Sequence, residues 1–219
     1  MNASASIRAA RIALASGLFA LAGCASLLGG RGGETTYAPL PAVQTAAEWP
    51  AVPWQLLVSA TTSARVTDSQ RIVVRPQPHE LQVYKDASWA KRPTDMLEET
   101  LIRTLEDSGR VPAVARPGSG VQADYRLVLD LRRFESDYAG GASPAAVIEV
   151  NAKLLHVLDE RVIATRTFTH SEPAGGTAVP QVVAAFERAL AVAGRDIAGW
   201  TLGAGAAHER GMQGEAGRR

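Results

Sequence analysis

The chain has 219 residues, 46% of them hydrophobic and 21% charged, with a formal net charge of +1 and one cysteine. This length suits one domain with its own core and a tail at either end. The composition excludes a fold built on internal disulfides, and the near-neutral charge argues against a protein that grips nucleic acid electrostatically.

Arg8 and Arg11 lead into an apolar run over residues 12–21. As a helix this run would span about 15 Å, roughly half a bilayer core, so it reads as the hydrophobic part of a secretory signal and not as a transmembrane helix. The run closes on Leu21-Ala22-Gly23-Cys24, where small residues fit a peptidase cleft. These four residues resemble the lipobox of bacterial lipoproteins, which implies a thioether-linked diacylglycerol on Cys24, cleavage before it and acylation of the new terminus. Two or three acyl chains make a stable anchor where a single chain binds only marginally. Lipidation also removes the liability of an odd thiol in an oxidising compartment. Without residues 1–23 the chain keeps 21 basic and 22 acidic residues. Ala25, in place of aspartate, is similar to the pattern that sends lipoproteins of enteric-type bacteria to the outer membrane.

Residues 24–53 read as a lipidated N-terminus and flexible tether, glycine-rich at first and then carrying Pro39, Pro41, Pro50 and Pro53. The folded domain is expected over residues 54–201. Residues 56–60, 71–75 and 80–84 give three short strands with turns at Asp68-Ser69 and Pro76-Gln77-Pro78. A helix follows with plain start and stop signals: Pro93 at the first helical position, Asp95, Glu98 and Glu99 near the N-terminus, and Gly109 at the end. Leu97, Leu101 and Leu105 form its apolar stripe.

A short strand at residues 111–115 and a Pro117-Gly118-Ser119-Gly120 loop precede three longer strands, at 123–135, 145–158 and 161–170, which form a meander. Tyr125, Leu127, Leu129 and Leu131 share one face of the first, while Arg126, Asp130 and Arg132 face the other way. A second helix is expected over residues 179–200, with Val182, Phe186, Leu190, Ala193 and Ile197 on a period near 3.6. From Leu202 onward no period persists, and residues 202–219 read as a disordered tail. The fold class is therefore α+β: a single domain with a mostly antiparallel mixed sheet and two amphipathic helices packed on one face.

Little in the chain is set up for chemistry. His79, His156, His170 and His208 are scattered, without metal-ligand spacing, and neither a P-loop nor a nucleophile elbow is present. No catalytic, cofactor-binding or metal-binding residue is assigned. The adjacent Glu98 and Glu99 point about 100° apart on a helix and read as solvated surface. Arg126, Arg132 and Arg133, interleaved with Asp130 and Glu135, read as a solvated sheet face and not as a lipid-headgroup strip. Trp49 and Trp54 read as closing one end of the core.

The run Tyr84-Lys85-Asp86-Ala87-Ser88-Trp89-Ala90-Lys91-Arg92-Pro93, feeding the first helix, resembles a motif of the auxiliary lipoproteins of ABC-type transporters that work with MCE-domain proteins. Arg71-Ile72, the strand ending in Phe134-Glu135, and the Ile197-Ala198-Gly199-Trp200 stretch are similar to the same family and occur in the same order. The resemblance covers residues 37–200. It implies a non-catalytic, outer-membrane-anchored lipoprotein facing the periplasm, with an MCE-domain protein of a lipid transporter as partner and the ATPase on another chain. A homo-oligomer is left open. A lipid-binding carrier with an acyl pocket between sheet and helices is the alternative reading. Tyr84, Trp89 and Pro93 are the motif residues singled out, as locks on the local core in preference to a partner site.

Overall fold

The structure, a computed structural model, describes residues 33–218. The signal segment, Cys24 and the glycine-rich start of the tether fall outside the described residues. The rest forms one compact unit from Thr35 onward.

The long strand β7 (Tyr125–Asp137) organises the sheet. Along one side it pairs antiparallel with β8 (Ala145–His156), which pairs antiparallel with β9 (Arg161–Pro173), giving the expected meander. Along its other side lie three short parallel strands in succession: β2 (Leu56–Val58), β3 (Thr62–Ser63) and β4 (Arg71–Arg75). Outside these, β5 (Gln82–Trp89) runs antiparallel to β4, β1 (Thr35–Tyr37) parallel to β5, and β6 (Val114–Ala115) parallel to β2. The fold is α+β, with a mixed, unclosed sheet and two helices.

A bulge decides which side chains of β7 reach the core. Leu131 pairs with Val150 but Arg133 pairs with Glu149, so one extra residue at Arg132 shifts the alternation. Tyr125, Leu127, Leu129 and Leu131 face inward before the shift and Phe134 after it, all at most 1% exposed. Arg133, Glu135 and Asp137 then share the opposite face, where Glu135 accepts from Arg75 Nε at 2.8 Å and from Arg133 Nε at 2.7 Å. The Phe-Glu pair thus divides between core and ionic network.

Helix α1 (Pro93–Ser108) begins at Pro93 and ends at Gly109 in the left-handed conformation (φ 61°), as the sequence signals require. Its Arg92 cap position makes no side-chain capping bond. Asp68 supplies the cap from a distance, accepting from Thr94 N at 3.1 Å and Thr94 Oγ1 at 2.8 Å.

Both limits of the folded domain differ from expectation, and β5 runs on to Trp89 instead of stopping at Tyr84. Helix α2 (Val179–Ala216) does not stop near Trp200; it continues through most of the stretch read as a disordered tail. Leu202 is fully buried, and a Cβ at Gly205 would stand 2.3 Å from Cζ2 of Trp54. The glycines that hide the period in the sequence are what let the helix lie against tryptophan. At the other end, residues 35–53 are not a tether: β1 pairs with Ala87–Trp89, and Ala46, Trp49 and Val52 are buried in the core. Trp49 packs at Gly199 as Trp54 does at Gly205, so both indoles close one end of the core.

Candidate functional site

The motif from Tyr84 to Pro93 turns at its centre. Arg71 pairs with Ser88 and Val73 with Val83, so four residues of β5 oppose the single Ile72. Asp86 takes φ 53° within this bulge, and Lys85 and Asp86 face solvent. The aromatics on either side of Lys85 and Asp86 turn inward. Trp89 is 1% exposed, edge-on to Phe134 at 5.9 Å and to Phe186 at 5.2 Å between ring centroids. Tyr84 is half-buried with its hydroxyl 3.0 Å from Ser136 Oγ, and burial pushes its phenol up to about 12. Pro93 is buried at the first turn of α1. Tyr84, Trp89 and Pro93 therefore build the site's support, and Lys85, Asp86, Lys91 and Arg92 are its exposed groups.

Beside the motif's end lies a groove of about 450 Å³, between α1 and the chain segment 38–43 that leaves β1. This is within the usual range for small-ligand pockets, roughly 300–1,000 Å³. Met96, Thr100 and Thr104, one helical turn apart, line its floor. The Thr100 and Thr104 hydroxyls donate to the carbonyls four residues earlier at 2.7 and 2.6 Å, so both side chains contribute methyl groups rather than donors. Leu40 on the strap is 74% exposed. Glu99 on the rim receives Lys91 and Arg103, the latter at 2.7 Å. The hydrogen bond from Lys91 holds its carboxyl below the usual glutamate range. The adjacent acids part as expected, since Glu98 reaches the backbone N–H of Thr61 instead.

The basic residues of the outer sheet face are largely neutralised by neighbours. Arg132 pairs with Asp130 at 3.2 Å, and Arg133 with Glu135 and Asp137 at 2.6 Å.

Sequence separation concealed one cluster. His156 and His208 lie with ring centroids 5.0 Å apart, both against Tyr125. The Tyr125 hydroxyl donates to Glu209 Oε1 at 2.9 Å and lies 2.8 Å from His208 Nδ1, which leaves that nitrogen to donate to the phenol oxygen. His156 Nδ1 meets Asp159 at 2.9 Å, a contact that lowers the Asp159 carboxyl. Burial, then Glu209, raises the Tyr125 phenol well above its ordinary value. Only the tertiary placement of α2 could have revealed this set. Among the described residues no group of histidine, cysteine and acidic side chains is arranged to hold a metal ion. None of their helices is long and apolar enough to cross a membrane.

The family profile of ABC-type transport auxiliary lipoprotein components matches residues 36–198. The chain belongs to that family. A crystal structure from Xanthomonas campestris is 52% identical, with a TM-score of 0.78 over 80% of this chain and 99% of that one. A second crystal structure, of an uncharacterized protein, is 17% identical with a TM-score of 0.56 over 72% of this chain and 97% of its own, a likeness of fold alone. An uncharacterized Bradyrhizobium diazoefficiens protein is 26% identical over 147 residues, which is 67% of this chain and 39% of that protein. The auxiliary-lipoprotein match begins within β1 and ends inside α2, so it takes in the Tyr84–Pro93 motif, the strap and the groove.

Proposed function

We propose that this auxiliary lipoprotein is the non-catalytic, lipid-anchored component of an MCE-linked transenvelope lipid transporter, held by Cys24 in the outer membrane and facing the periplasm. The family match over residues 36–198 carries the reading. The lipobox supplies the anchor, and Lys85, Asp86, Lys91 and Arg92 give an exposed set of charges on a rigid support for docking. Coupling an anchored domain to a partner raises their effective concentration without requiring a tight interface. The test is copurification from membranes with crosslinking: an MCE-domain protein is expected in the eluate, and its repeated absence overturns the reading. Cys24→Ser should move the protein out of the membrane fraction or leave it unprocessed.

The carrier reading rests on the groove. The space between helices and sheet is filled by Trp89, Phe134, Phe186 and fully buried leucines, which leaves no room there for an acyl pocket. The groove beside α1 has methyl-lined walls and a rim where Lys91 and Arg103 pair with Glu99, suited to a single acyl chain. Mass spectrometry of the non-covalent lipid extracted from the purified protein separates the two readings, because a carrier yields one such lipid per chain and a scaffold yields none.

A further inference from the structure

Among the strands of the described residues, β9 alone presents a long unpaired edge. Its inner side pairs with β8 from Arg161 to Pro173, and its outer side pairs with nothing among those residues. The strands β1, β3 and β6 have three, two and two residues. Natural sheets guard an edge with short strands, lysines, bulges or proline. Here a register shift between Leu154 and Leu155 leaves Ile163 as an extra residue at one end, and Pro173 stands at the other. Between them the edge is regular. Its solvent face reads Thr165, Thr167, Thr169 and Ser171, all exposed, β-branched or small, and uncharged.

The face toward α2 carries the charges and rings. Arg166 is exposed and stacks over Phe168 at 4.8 Å, without an acidic partner among the described residues. His170 lies 3.7 Å from Asp196, and Glu172 lies 3.7 Å from Arg188. Val192, 37% exposed, sits one turn from both Arg188 and Asp196, on the helix side that meets β9.

Pairing two copies of this edge antiparallel about a dyad restricts the register, because directly opposed residues must share a face and like charges there are costly. A dyad at Arg166 opposes two arginines, and one at Phe168 opposes Arg166 to His170. A dyad at Thr169 opposes Arg166 to Glu172 twice, Phe168 to His170 twice, Thr167 to Ser171 twice, and Thr169 to itself. It uses residues 165–173, the stretch bounded by the bulge and the proline.

We propose that β9 is the docking edge for a second copy of this chain, the two strands joining antiparallel about a dyad at Thr169 into one continuous sheet. Arg166 gains the partner copy's Glu172, and the two α2 helices come side by side with Val192 on the facing sides. The pairing stands independently of the transporter reading, since it depends only on the edge.

The full-length, membrane-extracted protein tests it through single cysteines and a charge reversal. Thr169→Cys should form a disulfide-linked dimer on mild oxidation at least ten times faster than Thr165→Cys, because opposed Thr165 residues would lie about 27 Å apart along the strands. The parent protein, treated alike, should give no linked dimer. Arg166→Glu should shift the mass in solution from dimer to monomer, and Arg166→Glu with Glu172→Arg should restore the dimer, with circular dichroism unchanged throughout. A monomer at every concentration, equal linking at Thr165 and Thr169, a dimer indifferent to Arg166→Glu, or linking of Thr169→Cys to a different polypeptide each overturns the proposal.

Discussion

The core holds two aromatic clusters that work by different physics. Trp89, Phe134 and Phe186 meet at the centre, Phe134 and Phe186 stacked at 4.7 Å and Trp89 edge-on to both. At the end of the sheet Trp54 leans on Tyr125 at 4.7 Å, and Tyr125 hydrogen-bonds His208 and Glu209 while packing against the His156 ring. The first cluster is stabilised by apolar burial and is insensitive to pH. The second joins the final third of α2 to the strand ends through polar contacts centred on the Tyr125 phenol, whose ionisation burial opposes.

The largest effect tests the central cluster. Trp89→Ala should destabilise the protein by about 3 to 5 kcal/mol, with the same loss at neutral and mildly acidic pH, by denaturant unfolding. Loss of partner binding without a change in melting would show instead that Trp89 serves recognition. At the end cluster, Gly205→Ala should cost up to about 2 kcal/mol. Overpacking against Trp54 costs about 1 to 3 kcal/mol, and helix propensity returns about 1 kcal/mol. Gly203, where an added Cβ meets nothing within 4 Å, gives the opposite sign: Gly203→Ala should stabilise by up to about 1 kcal/mol. Opposite melting shifts from glycines two residues apart would confirm that α2 is seated on Trp54.

Tyr125→Phe should cost about 1 to 2 kcal/mol by leaving Glu209 and His208 without the phenol. Its titration sharpens the contrast. Both buried phenols, Tyr84 at about 12 and Tyr125 higher, are raised in the folded state. Their contribution to stability is therefore complete below the ordinary tyrosine value of about 10 and is lost as pH rises beyond it. Phenolate absorbance should show both ionising above the ordinary value, and Tyr125→Phe should remove the later step. The smallest effect is acidic. Burial lowers the His170 imidazole against the pull of Asp196 and Glu172, so it contributes stability above the ordinary histidine value of about 6.5 that is lost as pH falls through its folded value. His170→Gln should flatten that part of the stability profile.

Where local chemistry governs, the sequence was readable. Pro93 and Gly109 bound α1 because a proline suits an N-terminal turn and a glycine a left-handed one, whatever surrounds them. The β7–β8–β9 meander followed from alternation and short turns. The candidate site was legible only in part: the motif marked where chain and helix meet, but the strap of residues 38–43, which closes the groove, looked like proline-rich linker. Proline restricts the backbone without saying what it packs on. The missed end of α2 has the same origin, since glycines at 199 and 205 weaken a helical pattern unless a tryptophan fills the space they leave.

By itself the sequence determined the α+β class, the limits of α1, the alternation of the long strands and the order of the family's motifs, all of which depend on neighbours along the chain. The tertiary structure decided the rest. It drew residues 35–53 and 202–216 into the domain, divided Phe134 from Glu135 at a bulge, and brought His156 to His208. Each of these depends on a contact between residues distant in sequence, where the gain from burial or pairing outweighs a local preference that is weak or contrary.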